Sequence, residues 1–116
     1  MVSKFLEAEI WPYVDEWDEA GEYPHEINEK VCELGVFGFG IDEKYGGLGF
    51  DDQFMRKDVS VEMGRTSAGG LFASVGSRNI MLGHLTELAN EEIKLKALPD
   101  LMSGKNGGSL GITEPG

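Results

Sequence analysis

The chain reads as an all-α domain, an orthogonal or up-down bundle of about five helices. Apolar residues recur at three- and four-residue steps through most of its 116 positions. Glycine or proline interrupts each run where a helix has to stop. Asp51 or Asp52 and Asn90 stand just ahead of two of these runs, where a side-chain oxygen caps the first free amides.

Val2, Phe5, Leu6, Ile10, Val14 and Trp17 mark the first amphipathic helix. The pattern is already running at Phe5, which predicts that this helix starts further back. Pro12 lies inside it and predicts a kink or a restart, because proline lacks the amide and clashes with the preceding turn. Gly21-Glu22-Tyr23 is a loop, and Pro24 suits the first turn of a second helix. Ile27, Val31 and Leu34 share one face of that helix, and Gly35 suits the left-handed position after it.

Phe37, Phe39 and Ile41 alternate, as in an extended buried stretch, and Tyr45-Gly46-Gly47-Leu48-Gly49 forms a glycine loop. A third helix carries Met55, Val59 and Met63 and breaks at Gly64 to Ala68. The fourth is expected over 69–88. A fifth begins after Asn90, with Glu91 and Glu92 matched to the positive end of its dipole. Ile93, Ala97, Leu98 and Leu101 should face the core, and Pro99 should bend it. Gly104, Gly107 and Gly108 end the helical period, and Ser109-Leu110-Gly111-Ile112 reads as a short strand. A lone strand has no ladder partner. The expectation is a front piece of a larger protein, with a helical domain over 1–107 and a second domain opening at 108–116.

The net charge of -11, from 10 Lys+Arg against 21 Asp+Glu, excludes binding to nucleic acid by counterion release. It disfavours anionic membranes for the same reason. The hydrophobic fraction of 41% suits a folded core. Cys32 is the single cysteine, so no intrachain disulfide forms, and its apolar neighbours Val31 and Leu34 point to a buried structural thiol. No apolar run reaches the length of a membrane span.

Few constellations suggest chemistry. Gly46-Gly47-Leu48-Gly49 lacks the Lys-Ser/Thr of a phosphate loop and precedes Asp51-Asp52, so it reads as a tight structural turn. His25 and His84 lie far apart and Cys32 has no companion, so no metal spacing exists. Ser74, Ser77 and Ser109 lack the context of a nucleophile. The fourth helix stands out. Gly69, Gly70, Ala73, Ser74, Gly76 and Ser77 crowd its first half, and interior glycine costs about 1 kcal/mol against alanine. Either another backbone packs very close there, or a ligand uses the space.

Several runs in order resemble the amino-terminal domain of the flavin-dependent acyl-CoA dehydrogenases. They are Ile10-Trp11-Pro12, Asp18, Gly21-Glu22-Tyr23-Pro24, Glu33-Leu34-Gly35, Tyr45 to Gly49, Val61-Glu62-Met63-Gly64-Arg65, Leu98-Pro99-Asp100-Leu101 with Gly104, and Thr113-Glu114-Pro115-Gly116. Each run alone is weak, but together they cover essentially the whole chain. The resemblance implies a subunit of three parts: this helical domain, a middle β domain that 108–116 would open, and a carboxy-terminal helical bundle.

The resemblance further implies FAD as cofactor and an acyl-CoA thioester as substrate, oxidised to the 2-enoyl-CoA. An electron-transfer flavoprotein or another oxidant would take the electrons. The whole protein would be a homodimer or homotetramer in the cytoplasm, or in the mitochondrial matrix given an upstream targeting segment. Leu110, Gly111, Ile112, Thr113, Glu114, Pro115 and Gly116 match the flavin-contacting stretch. Phe72, Val75, Gly76, Asn79 and Ile80 match the segment that lines the acyl tail. No catalytic base falls within this chain, and by itself it is expected to be inactive. Leu110 stands where relatives usually carry an aromatic residue, and Ala89 and Ile93 replace a common glycine and glutamine. The class of acyl group is therefore open. The competing reading is a free-standing helical interaction module without catalysis.

Overall fold

A computed structural model describes residues 1–115. Among the described residues every regular element is helical: α1 (Val2–Glu9), α2 (Val14–Ala20), α3 (Glu26–Glu33), α4 (Gln53–Arg65), α5 (Gly69–Leu88) and α6 (Glu91–Met102). The all-α expectation holds, with the first expected helix split in two. Pro12 sits in a 3-10 turn, Trp11–Tyr13, that joins α1 to α2, so the proline acts as a restart. Glu26 opens α3 two residues after Pro24, whose carbonyl accepts from the Ile27 amide at 3.1 Å.

The core gathers Leu6, Ile10 and Val14, then Ile27, Val31 and Cys32 from α3, Leu71, Val75 and Leu82 from α5, and Leu98, Leu101 and Met102 from α6. Between α3 and α4 the chain adds Phe37, Ile41 and Tyr45. The expected burial of Phe37, Phe39 and Ile41 is present, but their backbone runs through successive turns rather than an extended stretch. Left-handed glycines at 35, 40, 46 and 49 make those turns. Gly47 has a different reason: a Cβ there would lie 2.0 Å from the Ile41 carbonyl oxygen. The glycine loop is thus a packing device, as the sequence suggests.

Two helix faces depart from expectation. Asp52 caps α4, its carboxylate accepting from Phe54 and Met55 amides at 2.9 and 3.1 Å, yet α4 has no buried residue. Met55 on its inner side is exposed, while Val59 and Met63 are half-buried and Met63 packs against the core. In α6, Asn90 caps as expected by accepting from the Ile93 amide at 3.0 Å. Ile93 itself is 46% exposed. It stands five residues before Leu98, about 140° round the helix from the buried stripe.

The expected strand is not formed. Residues 107–115 carry no regular structure, and no second strand lies beside Ser109–Ile112 among the described residues, so no ladder can close. The molecule is a slab of 42 × 40 × 22 Å. Its thinness leaves large apolar side chains uncovered, among them Phe54, Ile80 and Leu88.

Candidate site along α5 and the carboxy-terminal segment

Helix α5 turns one stripe inward and one outward. Leu71, Val75, Arg78 and Leu82 are buried. Phe72, Gly76 and Ile80 follow at four-residue steps on the other side, which places them on a single strip. Phe72 is half-buried and packs against the core, whereas Ile80 is 50% exposed. A Cβ at Gly69, Gly70, Gly76 or Gly83 would meet no atom within 4 Å. Close backbone packing within the described residues is therefore not what these glycines serve. Val75, next to Gly76 in sequence and about 100° round the helix from it, is fully buried. Asn79 lies between strip and core, on the edge of two cavities that it shares with Arg56 and Phe39.

Arg56 fixes that edge. Its guanidinium bonds the Asp51 carboxylate, donates to the Phe39 carbonyl at 2.8 Å and lies 5.4 Å from the Phe39 ring centre. At the other end of α5, the Tyr23 hydroxyl donates to Ser74 Oγ at 2.7 Å and ties the loop after α2 to the helix. The Arg56–Phe39 and Tyr23–Ser74 bonds join residues 17 and 51 positions apart, and no sequence spacing announces them.

Arg78 is a second feature that sequence reasoning missed. It is buried, its Nη1 reaches Asn28 Oδ1 only at 3.5 Å and the Val75 carbonyl at 3.4 Å, and its Nε has no partner among the described residues. Cys32 is buried nearby, and burial pushes its thiol above the usual range while Arg78 opposes that shift. An inert structural thiol follows, as expected. Among the described residues no cluster of metal-ligating side chains occurs, and no helix is long and apolar enough to cross a membrane.

Leu110, Gly111, Ile112, Thr113, Glu114 and Pro115 are exposed, with Ile112 at 76%. Gly116 lies outside the described residues. The exposed backbone and the Thr113 hydroxyl offer donors and acceptors of the kind a flavin ring takes, so the segment fits the chemistry of FAD. It is an exposed strip rather than an enclosed pocket.

Comparisons with known proteins bear on the family of the chain. The family description "Acyl-CoA dehydrogenase, N-terminal domain" matches residues 1–105. The rat mitochondrial long-chain specific acyl-CoA dehydrogenase is 32% identical over 115 residues, covering 99% of this chain and 26% of its own length. A 3-(aryl)acrylate reductase of Clostridium sporogenes is 34% identical over 114 residues, covering 97% of this chain and 29% of its own length. A glutaryl-CoA dehydrogenase of Desulfococcus multivorans is 30% identical over 116 residues, covering 98% of this chain and 30% of its own. The chain thus spans between a quarter and a third of the length of these relatives. It belongs to the acyl-CoA dehydrogenase family and carries that family's amino-terminal helical domain.

Proposed function

We propose that this chain is the amino-terminal helical part of an FAD-dependent acyl-CoA dehydrogenase, with 1–107 as the helical domain and 108–116 opening a middle β domain. The reaction is α,β-dehydrogenation of an acyl-CoA thioester to the 2-enoyl-CoA. The observation that carries this reading is the open strip on α5. Phe72 and Ile80 give it apolar ends, and Gly76 leaves a gap between them with nothing within 4 Å of a Cβ. An acyl tail laid along this strip covers apolar surface at about 25 cal/mol per Å². Val75 anchors the neighbouring face of α5 in the core, and Asn79 forms the polar edge of the strip.

A bound FAD would supply the chemistry that takes up the hydride leaving the substrate β-carbon. This chain's own part is to position the groups. The backbone of Leu110 to Pro115 and the Thr113 hydroxyl would hold the flavin edge, while the α5 strip aligns the acyl chain. No group of this chain removes the substrate proton. An electron-transfer flavoprotein or another flavin oxidant completes turnover, and the assembled protein is a homodimer or homotetramer.

Gly76→Leu in the longer polypeptide tests this reading. Filling the gap should lower kcat/KM for long acyl-CoA substrates relative to short ones by roughly one to two orders of magnitude. A thermal melt accompanies the assay. An unchanged chain-length profile with uniformly lower activity would overturn the acyl reading.

A further inference from the structure

The turn that leaves α6 is closed by one side-chain pair. The Asn106 amide nitrogen donates to Asp100 Oδ2 at 3.1 Å, and the Ser103 hydroxyl braces the same turn by donating to the Asp100 carbonyl at 3.0 Å. Gly104 takes φ +80°, and a Cβ on it would lie 3.0 Å from both the Asn28 carbonyl oxygen and the Cys32 sulfur. The base of the turn is thus seated on α3, while Lys105, Asn106 and Gly107 are exposed. Gly107 follows Asn106 directly. Its amide has no acceptor among the described residues, and a Cβ there would meet no atom within 4 Å. The other three asparagines differ. Glu29, Ile80 and Glu91 follow Asn28, Asn79 and Asn90, and each of these followers carries a side chain and belongs to a helix.

We propose that Asn106 is a modification site, where the side chain deamidates spontaneously through a cyclic imide with water as the only co-reactant. The Gly107 amide nitrogen loses its proton to solvent base and attacks Asn106 Cγ. The Cγ–Nδ2 bond breaks, and Nδ2 leaves with a solvent proton as ammonia. Water then opens the five-membered imide at either carbonyl, leaving aspartate or isoaspartate at 106. Nothing is oxidised or reduced. A side chain on the following residue would crowd the ring, and glycine has none and turns freely into the geometry of attack. The product reverses the contact that closes the turn. An amide that donates to Asp100 becomes a second carboxylate beside the first, and attraction at 3.1 Å gives way to repulsion. The same turn carries the chain from α6 toward Leu110 to Pro115, so deamidation loosens the root of that segment. This chemistry is independent of the acyl and flavin readings.

The test incubates this chain in warm, mildly alkaline buffer and follows it by peptide mass mapping and by methyl labelling with an isoaspartyl methyltransferase. Asn106 should convert while Asn28, Asn79 and Asn90 stay intact, and the label should fall on the peptide that holds residue 106. Gly107→Val, at a position with room for a side chain, should slow conversion about tenfold, equivalent to roughly 1.4 kcal/mol on the barrier. Circular dichroism confirms that each variant is folded. The loosening is read by hydrogen exchange in Asn106→Asp. The Gly104 amide faces the Leu101 carbonyl at 3.4 Å and the Lys105 amide faces Ser103 Oγ at 3.5 Å, and both should exchange about threefold faster, the scale of one surface charge pair. Asp100→Asn together with Asn106→Asp sets a donor opposite an acceptor again and should return both amides to the native rate. Conversion of Asn106 no faster than that of the other three asparagines overturns the site. So does conversion that Gly107→Val leaves unchanged. Native exchange rates in Asn106→Asp overturn the loosening.

Discussion

The Tyr45 hydroxyl donates to Glu91 Oε2 at 2.6 Å across 46 positions, pinning the glycine-rich turns to the first turn of α6. Lys44 Nζ sits 3.3 Å from the other carboxylate oxygen and 4.7 Å from the Tyr45 ring centre. The Tyr45 hydrogen bond, helped by Lys44, holds the Glu91 carboxyl below its usual range. The same bond, with burial, holds the Tyr45 hydroxyl above its own.

The pH dependence follows from these directions. Glu91 has a depressed folded pKa, so its contribution is present above the unfolded value of about 4.3 and is lost as pH falls through the folded value. Tyr45 has a raised folded pKa, so its contribution is lost as pH rises above about 10 toward the folded value. Melting temperature measured against pH should therefore drop at both edges. Tyr45→Phe should melt lower than the native chain near neutrality and show a shallower acid edge. Identical acid edges in the two proteins would show that this contact contributes nothing.

The glycines should divide sharply by location. Gly47→Ala places a methyl 2.0 Å from the Ile41 carbonyl and should destabilise the fold by about 3 kcal/mol. Gly64→Ala, inside α4 with nothing within 4 Å, should stabilise it by about 0.5–1 kcal/mol. Urea melts of the two variants check the pair. A stabilised Gly47→Ala would mean that the turn has room it does not display.

Arg78 should be replaceable with gain. A buried cation without a carboxylate bears the cost of desolvation and recovers little from two long contacts of 3.4 and 3.5 Å. Arg78→Met keeps most of the volume and should raise stability by about 1 kcal/mol. A loss of similar size would reveal a partner that Arg78 gains in solution, such as a buried water.

The chain by itself should be colourless and show no acyl-CoA oxidation with an artificial electron acceptor. The segment proposed to meet the flavin is an exposed strip rather than a pocket, and no proton-abstracting group is assigned to the chain. A yellow preparation with stoichiometric FAD would contradict this.

What the sequence disclosed, and what it withheld, divides along local and non-local physics. Asp52 and Asn90 announce their helices because capping acts over two or three residues. The span of α5 is legible to the residue, glycines included. Pro12 was ambiguous between kink and restart, and the 3-10 turn resolves it. Met55 and Val59 have core-like spacing, but spacing alone does not tell whether a partner covers the face. Ile93 misled because a capped first turn lies before the buried stripe of α6 begins. Within the candidate site, the composition of α5 pointed to Gly76, and the structure leaves open space beside it. Arg56, Arg78 and Tyr23 were not, because each acts through a partner that only tertiary packing brings near.

The segment from Gly35 to Gly49 is irregular in backbone yet supplies Phe37, Ile41 and Tyr45 to the interior. Its amides are tied to one another across turns, Leu48 donating to Gly38 at 2.8 Å and Gly49 to Ile41 at 2.9 Å. Surface loops ordinarily open alone and exchange their amide hydrogens quickly. Here an opening large enough to free those amides would also pull three side chains out of the centre. Hydrogen exchange at Leu48 and Gly49 should therefore be as slow as in the helices rather than as fast as in the loops this stretch resembles.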